Sequence, residues 1–278
     1  MAGSHLRTLF LHPPSFDGFD GGAGSRFQAK REIRSFWYPT WLAQPAALVP
    51  GSRLVDGPPN GLTLANVLPL AREYDLAILH TSTPSFAQDV RVAEALKEAN
   101  PALRIGFVGA HVSVRAEPSL LASPAIDFVA RGEFDFTVEE VARGGPLSAV
   151  AGRSYRENGT ALRTPDRPPL ENMDALPFVV DVYKRDLTVE HYFIGYLQHP
   201  YLSLYTGRGC PAKCTFCLWP QTIGGHTYRT RSVEHVVAEM AHAQKRFPHV
   251  REFFFDDDTF TDDRPRAEAI ARGLGRSV

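Results

Sequence analysis

The sequence is poor in cysteine and has no long apolar run. Its 278 residues include three cysteines, an odd number that fits a disulfide framework poorly. No segment approaches the roughly 18 consecutive apolar residues of a membrane-spanning helix, and the first residues contain no apolar region of the secretory type. We therefore expect a protein of the reducing cytoplasm. Peripheral contact with the inner membrane stays open, because it needs no spanning segment.

An excess of charge of one sign is also missing. Lys and Arg number 30 against 31 Asp and Glu, which gives a formal net charge of −1. No basic field would draw the chain to nucleic acid, so we expect no nucleic-acid partner. Hydrophobic residues make up 44% and charged residues 22%, values that exclude a disordered chain. The length predicts one or two folded domains.

The first half of the chain alternates strand-like and helix-like segments. Residues 62–73 and 86–99 carry apolar side chains at helical spacing, and short apolar runs indicate buried strands. The five predicted strands cover residues 7–11, 53–56, 75–80, 104–108 and 126–129. This alternation predicts an α/β fold with a doubly wound, Rossmann-like parallel sheet. Such a sheet binds ligands outside the carboxyl ends of its strands.

Turn-forming residues divide the chain. We predict a Rossmann-like domain over residues 1–147, which includes a long loop at 16–35 that is rich in Gly, Asp and Arg. Residues 148–191 predict a hairpin that turns at Asn158–Gly159, followed by a proline-rich linker. Residues 192–278 predict a second unit with strands at 202–205 and 252–255 and a helix capped by Ser232.

All three cysteines lie in one loop, residues 207–217, which we call the cysteine loop. Cys210, Cys214 and Cys217 have the spacing Cys-x3-Cys-x2-Cys, and thiolates are soft ligands that suit iron–sulfur clusters and zinc. A closed iron–sulfur site usually has four cysteines, so three would leave one iron open to a substrate or cofactor. The alternatives are a structural zinc with His226 or His199 as fourth ligand, or three unrelated buried cysteines.

An acidic segment follows the strand predicted at 252–255. Asp256, Asp257 and Asp258 stand at its end, where carboxylates can bind a cation or an ammonium group. The alternative is a solvated acidic loop before the helix that begins near Pro265, since acidic side chains are favoured at a helix N-terminus.

The cysteine loop resembles the signature of the radical SAM superfamily, Cys-x3-Cys-x-aromatic-Cys, with Phe216 at the aromatic position. The resemblance implies that the three cysteines hold a [4Fe–4S] cluster and that its open iron binds S-adenosylmethionine. One-electron cleavage of that cofactor would yield a 5′-deoxyadenosyl radical. Phe216 would lie beside the adenine. No catalytic residue beyond the cluster is implied.

The same resemblance extends to the acidic segment and to the fold. Asp257-Asp258-Thr259-Phe260 matches the end of the second barrel strand in many radical SAM proteins, which implies that Asp257 and Asp258 lie near S-adenosylmethionine. Residues 192–278 would then form the start of a partial (β/α)6 barrel. Because this segment has room for about two βα units, we expect the barrel to be truncated.

The α/β domain before the cysteine loop resembles the cobalamin-binding branch of that superfamily. The resemblance implies cobalamin contacts from the loops after the predicted strands. These are Pro14, Ser15, Ser82, Thr83, Gly109, His111, Gly132 and Glu133. The Asp-x-His-x-x-Gly pattern that supplies an axial histidine is absent from the sequence. Its absence fits members that bind cobalamin without a histidine ligand, and it fits equally a domain that has lost cobalamin.

Three segments resemble the hopanoid-biosynthesis-associated radical SAM proteins (J type): residues 9–20, 36–42 and 217–222. This implies chemistry on the glycosyl headgroup of a lipid-linked bacteriohopanepolyol to give a cyclitol ether, with electrons from a reductase such as flavodoxin or ferredoxin. Two alternatives stay open. One is a cobalamin-dependent radical SAM methyltransferase that acts on another substrate. The other is a non-catalytic protein in which a cluster or zinc is only a structural clip or redox sensor.

Overall fold

The largest element of the fold is a seven-stranded sheet. The computed structural model describes residues 5–16 and 36–277, so nearly all of the loop predicted at 16–35, and residues 17–20 of the first hopanoid-type segment, lie outside the described residues. The strands are β1 (Thr8–His12), β2 (Arg53–Asp56), β3 (Leu76–His80), β4 (Arg104–Val108), β5 (Phe128–Ala130), β6 (Arg153–Glu157) and β7 (Thr160–Arg163). Their spatial order is β2-β1-β3-β4-β5-β6-β7. Strands β1 to β5 are parallel, which confirms the α/β class and a mostly parallel sheet.

Helices pack on both faces of this sheet and around the second unit. They are α1 (Thr40–Leu48), α2 (Leu64–Val67), α3 (Phe86–Ala99), α4 (Ala110–Val114), α5 (Ala116–Leu121), α6 (Asp135–Ala142), α7 (Val180–Asp186), α8 (Val233–Arg246) and α9 (Arg264–Ser277). Successive side chains of β1 enter different cores, with Phe10 on one face and Leu9 and Leu11 on the other. Burial on both faces explains why these strands are apolar throughout.

The strand order fixes where a ligand would bind. In a sheet of order 2-1-3-4-5 the winding reverses between β1 and β3, and ligands bind at the carboxyl ends of the strands beside this point. The residues directly after β1, β3, β4 and β5 are 13–15, 81–83, 109–113 and 131–133, and we call them the carboxyl edge. The loops expected to bind cobalamin therefore share one edge of the sheet.

Two segments differ in detail from the sequence prediction. The helix predicted over 62–73 is divided into α2 and a 3-10 turn, Leu68–Arg72, because Pro69 lacks the N–H that would continue the α-helix. The predicted hairpin forms and turns at Asn158 and Gly159, which both have positive φ. It also extends the sheet, since β6 pairs antiparallel with β5.

The second unit contains two βα units. Strands β8 (Tyr201–Leu204) and β11 (Glu252–Phe255) are parallel and adjacent, with α8 between them in the chain and α9 after β11. Two short antiparallel strands, β9 (Gly207–Arg208) and β10 (Arg229–Thr230), flank the cysteine loop. The assignment of these two βα units to the start of a truncated (β/α)6 barrel, and the domain boundaries at 147 and 191, stay predictions. Within residues 5–16 and 36–277 no helix is both long and apolar enough to cross a membrane.

Candidate functional site

The cysteine loop begins at the carboxyl end of β8 and is shaped by two glycines. Gly209 has φ +96°, and a Cβ at this position would lie 2.2 Å from the carbonyl oxygen of Thr227. A Cβ on Gly207 would lie 2.6 Å from the ring of Tyr228. Only glycine, which has no Cβ, allows so close an approach at either position, so the start of the loop packs directly against the segment that leads into β10.

The three cysteines are free thiols with access to solvent. Cys214 is exposed, whereas Cys210 and Cys217 are partly buried. The Cys210 amide donates to the Gly225 carbonyl at 3.1 Å and the Cys217 amide to the Cys214 carbonyl at 3.1 Å, so hydrogen bonds hold the backbone at the first and last cysteines. Three accessible soft donors fit an iron–sulfur cluster in number and kind.

The side chains do not converge on one point. Among the residues that the structure describes, no group of three or more His, Cys, Asp or Glu side chains is placed to hold a metal ion. Neither His226 nor His199, the candidate zinc ligands, therefore forms such a group with the cysteines. Ligation by the three cysteines therefore rests on the donor set and stays a prediction.

The acidic segment meets the base of the cysteine loop. Asp257 accepts hydrogen bonds from the Thr206 amide and hydroxyl and from the Tyr228 hydroxyl, each at 2.6 Å. Burial raises the pKa of the Asp257 carboxyl above its ordinary value, against the lowering effect of these hydrogen bonds. The Thr259 hydroxyl donates to the Gly209 carbonyl at 3.3 Å. Asp257 therefore supports the start of the loop, and Asp258 beside it is exposed.

The aromatic residues of the loop have two different environments. Phe216 is 89% exposed, so its ring is accessible to a ligand. Trp219, which follows the loop, stacks on Trp41 of α1 with ring centroids 6.3 Å apart. These two tryptophans come from the second and third hopanoid-type segments, which therefore lie in contact.

The carboxyl edge brings several of the predicted cobalamin residues together. Thr83 and His111 are hydrogen-bonded at 3.0 Å, and His111 stacks on Phe86 at 4.3 Å. The Ser113 hydroxyl joins the segments after β4 and β5, because it donates to the Gly109 carbonyl at 2.9 Å and accepts from the Gly132 amide at 3.0 Å.

Glycine is required after β4. A Cβ on Gly109, whose φ is +118°, would lie 2.3 Å from the Thr81 carbonyl oxygen. Pro14 is buried, and Ser15 and Ser82 are partly exposed at the same edge.

Glu133 has a different environment from the other predicted cobalamin residues. Its carboxylate accepts from Arg208 at 2.8 Å, from Arg229 at 2.8 Å and from the Leu170 amide at 2.8 Å. Burial alone raises the pKa of Glu133, but the two guanidinium groups more than offset it, so the pKa is lowered. Both carboxylate oxygens are thus bonded inside the protein. Arg208 and its other partner, Asp135, were not identified from the sequence as site residues.

A buried polar chain lies at the end of β1 and was also not predicted. His12 Nδ1 is 2.7 Å from Asp56 Oδ1, and Asp56 Oδ2 accepts from the Tyr192 hydroxyl at 2.8 Å. The His80 ring is 6.0 Å from that of His12, and burial lowers the pKa of His80 to about 3. The register of β1 on β2, which pairs His12 with Asp56, is the signal that could have revealed the contact.

The relatives of the chain are named as methyl-transferring enzymes. An uncharacterized methyltransferase of Pyrococcus horikoshii is 30% identical over 257 residues, which cover 87% of this chain and 53% of that protein. The cytidylyl-2-hydroxyethylphosphonate methyltransferase of Streptomyces wedmorensis is 27% identical over 249 residues, 77% of this chain and 46% of that protein. The hopanoid C-3 methylase of Methylococcus capsulatus is 30% identical over 179 residues, 60% of this chain and 32% of that protein.

The match covers only part of these proteins. The chain spans about half the length of the first two curated relatives. No family model matches the chain. The names of the relatives support an enzyme, and two of the three relatives described here match more than three quarters of this chain.

Proposed function

We propose that this protein is a radical SAM enzyme of the cobalamin-domain class and that it transfers a methyl group from S-adenosylmethionine to a small or lipid-linked substrate. The observation that carries the proposal is the position of the cysteine loop, whose strand β9 binds Glu133 at the carboxyl edge and Asp135 at the start of α6. The region proposed for the cluster is therefore joined by ion pairs to the region proposed for cobalamin. The methyl-transferring relatives support methyl transfer as the reaction.

The residues have separate tasks in this proposal. Cys210, Cys214 and Cys217 would ligate the cluster as thiolates, while Phe216 and Asp258, whose side chains are exposed, would contact S-adenosylmethionine. Thr83 and His111 would contact cobalamin at the carboxyl edge. When bound, the cluster would supply single electrons and cobalamin would carry the methyl group.

If a methyl group replaces hydrogen on a substrate carbon, each turnover consumes two molecules of S-adenosylmethionine and two electrons. One S-adenosylmethionine gives methionine and 5′-deoxyadenosine, which takes up the substrate hydrogen, and a second gives its methyl group and becomes S-adenosylhomocysteine. The two sulfonium charges are balanced by two electrons from a reductase of the flavodoxin or ferredoxin type. The protein itself would orient the reacting carbon and exclude water.

Metal analysis of anaerobically reconstituted protein tests the cluster. The full chain is expected to retain iron and sulfide, and Cys214→Ala is expected to lose most of both. Thr215→Ala is the matched control, because it changes an exposed neighbour that is not a thiol, and it should retain wild-type iron. Zinc without iron in the wild type, or equal iron in Cys214→Ala, would contradict the proposal and favour the structural clip.

A second assay tests cobalamin. Added hydroxocobalamin should co-purify with its visible absorption, and His111→Ala should reduce the retained amount, since His111 is partly exposed at the edge. Retention no better than that of an unrelated protein would refute this part of the proposal.

The second candidate is rearrangement of a hopanoid glycosyl headgroup to a cyclitol ether. One observation favours a hopanoid substrate: a relative that matches 60% of this chain is named hopanoid C-3 methylase. Incubation with bacteriohopanepolyol glycosides separates the two reactions. A product of unchanged mass would indicate ring rearrangement, whereas a gain of one CH2 unit would indicate methyl transfer.

A further inference from the structure

A buried ion cluster joins the cysteine loop to the seven-stranded sheet. Arg208 lies in β9, directly before Gly209 and Cys210, and its guanidinium is almost fully buried. Its Nη1 donates to Glu133 at 2.8 Å and to Asp135 at 2.6 Å, and its Nη2 donates to Asp135 at 3.1 Å. Although burial alone would lower the pKa of Arg208, the ion pairs with Asp135 and Glu133 raise it, so the group stays charged.

Arg229 completes the cluster from β10. It donates to Glu133 at 2.8 Å, to the Leu170 carbonyl at 2.7 Å and to the Gly224 carbonyl at 2.7 Å. The two arginines and two carboxylates balance in charge, and their side chains are 3–10% exposed. Such a cluster is stable only while every partner is present, because loss of one leaves an uncompensated buried charge.

The other end of the cysteine loop also contacts the first domain. Trp219, which follows the last cysteine, stacks on Trp41 of α1. Trp41 also contacts the first end of the loop, because the Arg208 guanidinium lies 4.8 Å from the centre of the Trp41 ring. The turn at Pro220–Gly224 contacts α4, which follows β4 at the carboxyl edge. The loop is therefore held before its first cysteine by ion pairs and after its last cysteine by aromatic and helix contacts.

We infer that Arg208, held by Glu133 and Asp135, is a positioning residue that fixes the cysteine loop relative to the carboxyl edge and so sets the separation of the two cofactors. The inference rests on the proposed function. It also reassigns Glu133, whose carboxylate would serve as a bridge between the domains. A substitution that weakens the ion cluster should move the cysteine loop away from the carboxyl edge. The loop should still bind the iron–sulfur cluster, and the edge should still bind cobalamin.

Two variants and a matched control test this inference. Arg208→Lys keeps the charge but cannot form the forked contact with Asp135, and Asp135→Asn removes one charge of the cluster. Asp127→Asn is the control, because Asp127 binds Lys97 and the Ile105 amide at the opposite end of β5. If Arg208→Lys fails to fold, Asp135→Asn provides the same test.

The first measurement is amide hydrogen exchange of the full chain without cofactors, which is independent of the proposed function. We expect at least about tenfold faster exchange in residues 207–225 and 131–136 of both cluster variants, and wild-type exchange there in Asp127→Asn. Unchanged exchange in these segments of a folded cluster variant would overturn the inference.

The second measurement uses the full chain loaded with a reconstituted cluster, chemically reduced by one electron to its paramagnetic [4Fe–4S]+ state, and with hydroxocobalamin reduced to its Co(II) form. Dipolar coupling between the two paramagnetic centres reports their separation. We expect weaker coupling in Arg208→Lys than in wild type, with iron and cobalt contents unchanged. Equal coupling would refute the inference and leave the proposed function intact, whereas wild-type protein that takes up no cluster would refute the proposed function itself.

Discussion

Substitution of Gly209 by alanine should disrupt the cysteine loop much more than the same change at Gly225. Both residues have positive φ, +96° and +74°, so each alanine should cost about 1–3 kcal/mol of backbone strain. At Gly225 no described atom lies within 4 Å of the added Cβ, and strain is the whole effect. At Gly209 the Cβ would lie 2.2 Å from the Thr227 oxygen, a backbone atom that cannot rotate away.

Relief of that contact requires the loop to move away from Thr227. The movement would break the hydrogen bond from the Cys210 amide to Gly225 and the one from the Thr259 hydroxyl to Gly209. At about 0.5–1.5 kcal/mol each, these losses add about 1–3 kcal/mol to the strain. We therefore expect Gly209→Ala to lower the free energy of unfolding by about 2–6 kcal/mol, against about 1–3 kcal/mol for Gly225→Ala.

Urea unfolding of both variants measures this difference, and iron content after reconstitution shows whether the loop still binds a cluster. Gly209→Ala should lose iron as well as stability, whereas Gly225→Ala should keep most of its iron. Equal losses of stability in the two variants would refute the close approach of Gly209 to the segment before β10.

Three further predictions concern single side chains. Phe216→Ala should change the free energy of unfolding by less than about 0.5 kcal/mol, because the ring is exposed. The same variant should bind S-adenosylmethionine several-fold more weakly after reconstitution, and unchanged binding would contradict a role of Phe216 beside the adenine. Burial lowers the pKa of His80 to about 3 in the folded protein, whereas the unfolded chain takes up this proton near pH 6.5. The free energy of unfolding should therefore fall as the pH drops from 6.5 towards 3, by up to about 1.4 kcal/mol per pH unit. Urea unfolding of His80→Asn should lack this part of the pH dependence. Tyr192→Phe should cost about 1–3 kcal/mol in the same assay through loss of the hydrogen bond to buried Asp56, and a cost near zero would refute that contact.

Local patterns were sufficient for most of the fold. Helix α3 begins and ends where its apolar spacing and Asn100–Pro101 predict. Helix α8 begins after Ser232, whose hydroxyl accepts from the His235 amide at 3.1 Å. Strand β5 begins two residues later than predicted. The Ile105 amide of β4 donates to the Asp127 carboxylate at 2.7 Å. A side chain thus accepts a hydrogen bond that a backbone carbonyl would accept in a regular strand pair, and β5 begins only at Phe128.

The contacts of the candidate site depend on pairings that no local pattern contains. The loop, its glycines and its three cysteines are visible in the sequence, because each is a feature of neighbouring residues. Arg208 meets Glu133 and Asp135 across the chain, and residue type alone does not indicate which charges will be buried together. For that reason local sequence places Glu133 with the other residues that follow the strands, although the folded chain bonds its carboxylate to two arginines.

The measurement that tests the central claim most directly is the formation of 5′-deoxyadenosine from S-adenosylmethionine by the anaerobically reconstituted, reduced full chain. The wild-type protein should form it, and the rate should fall to background when Cys210, Cys214 or Cys217 is replaced by alanine, while Thr215→Ala keeps the wild-type rate. Iron-loaded wild-type protein that forms no 5′-deoxyadenosine, or a cysteine variant that forms as much as wild type, would contradict the assignment of this loop as the cluster site of a radical SAM enzyme.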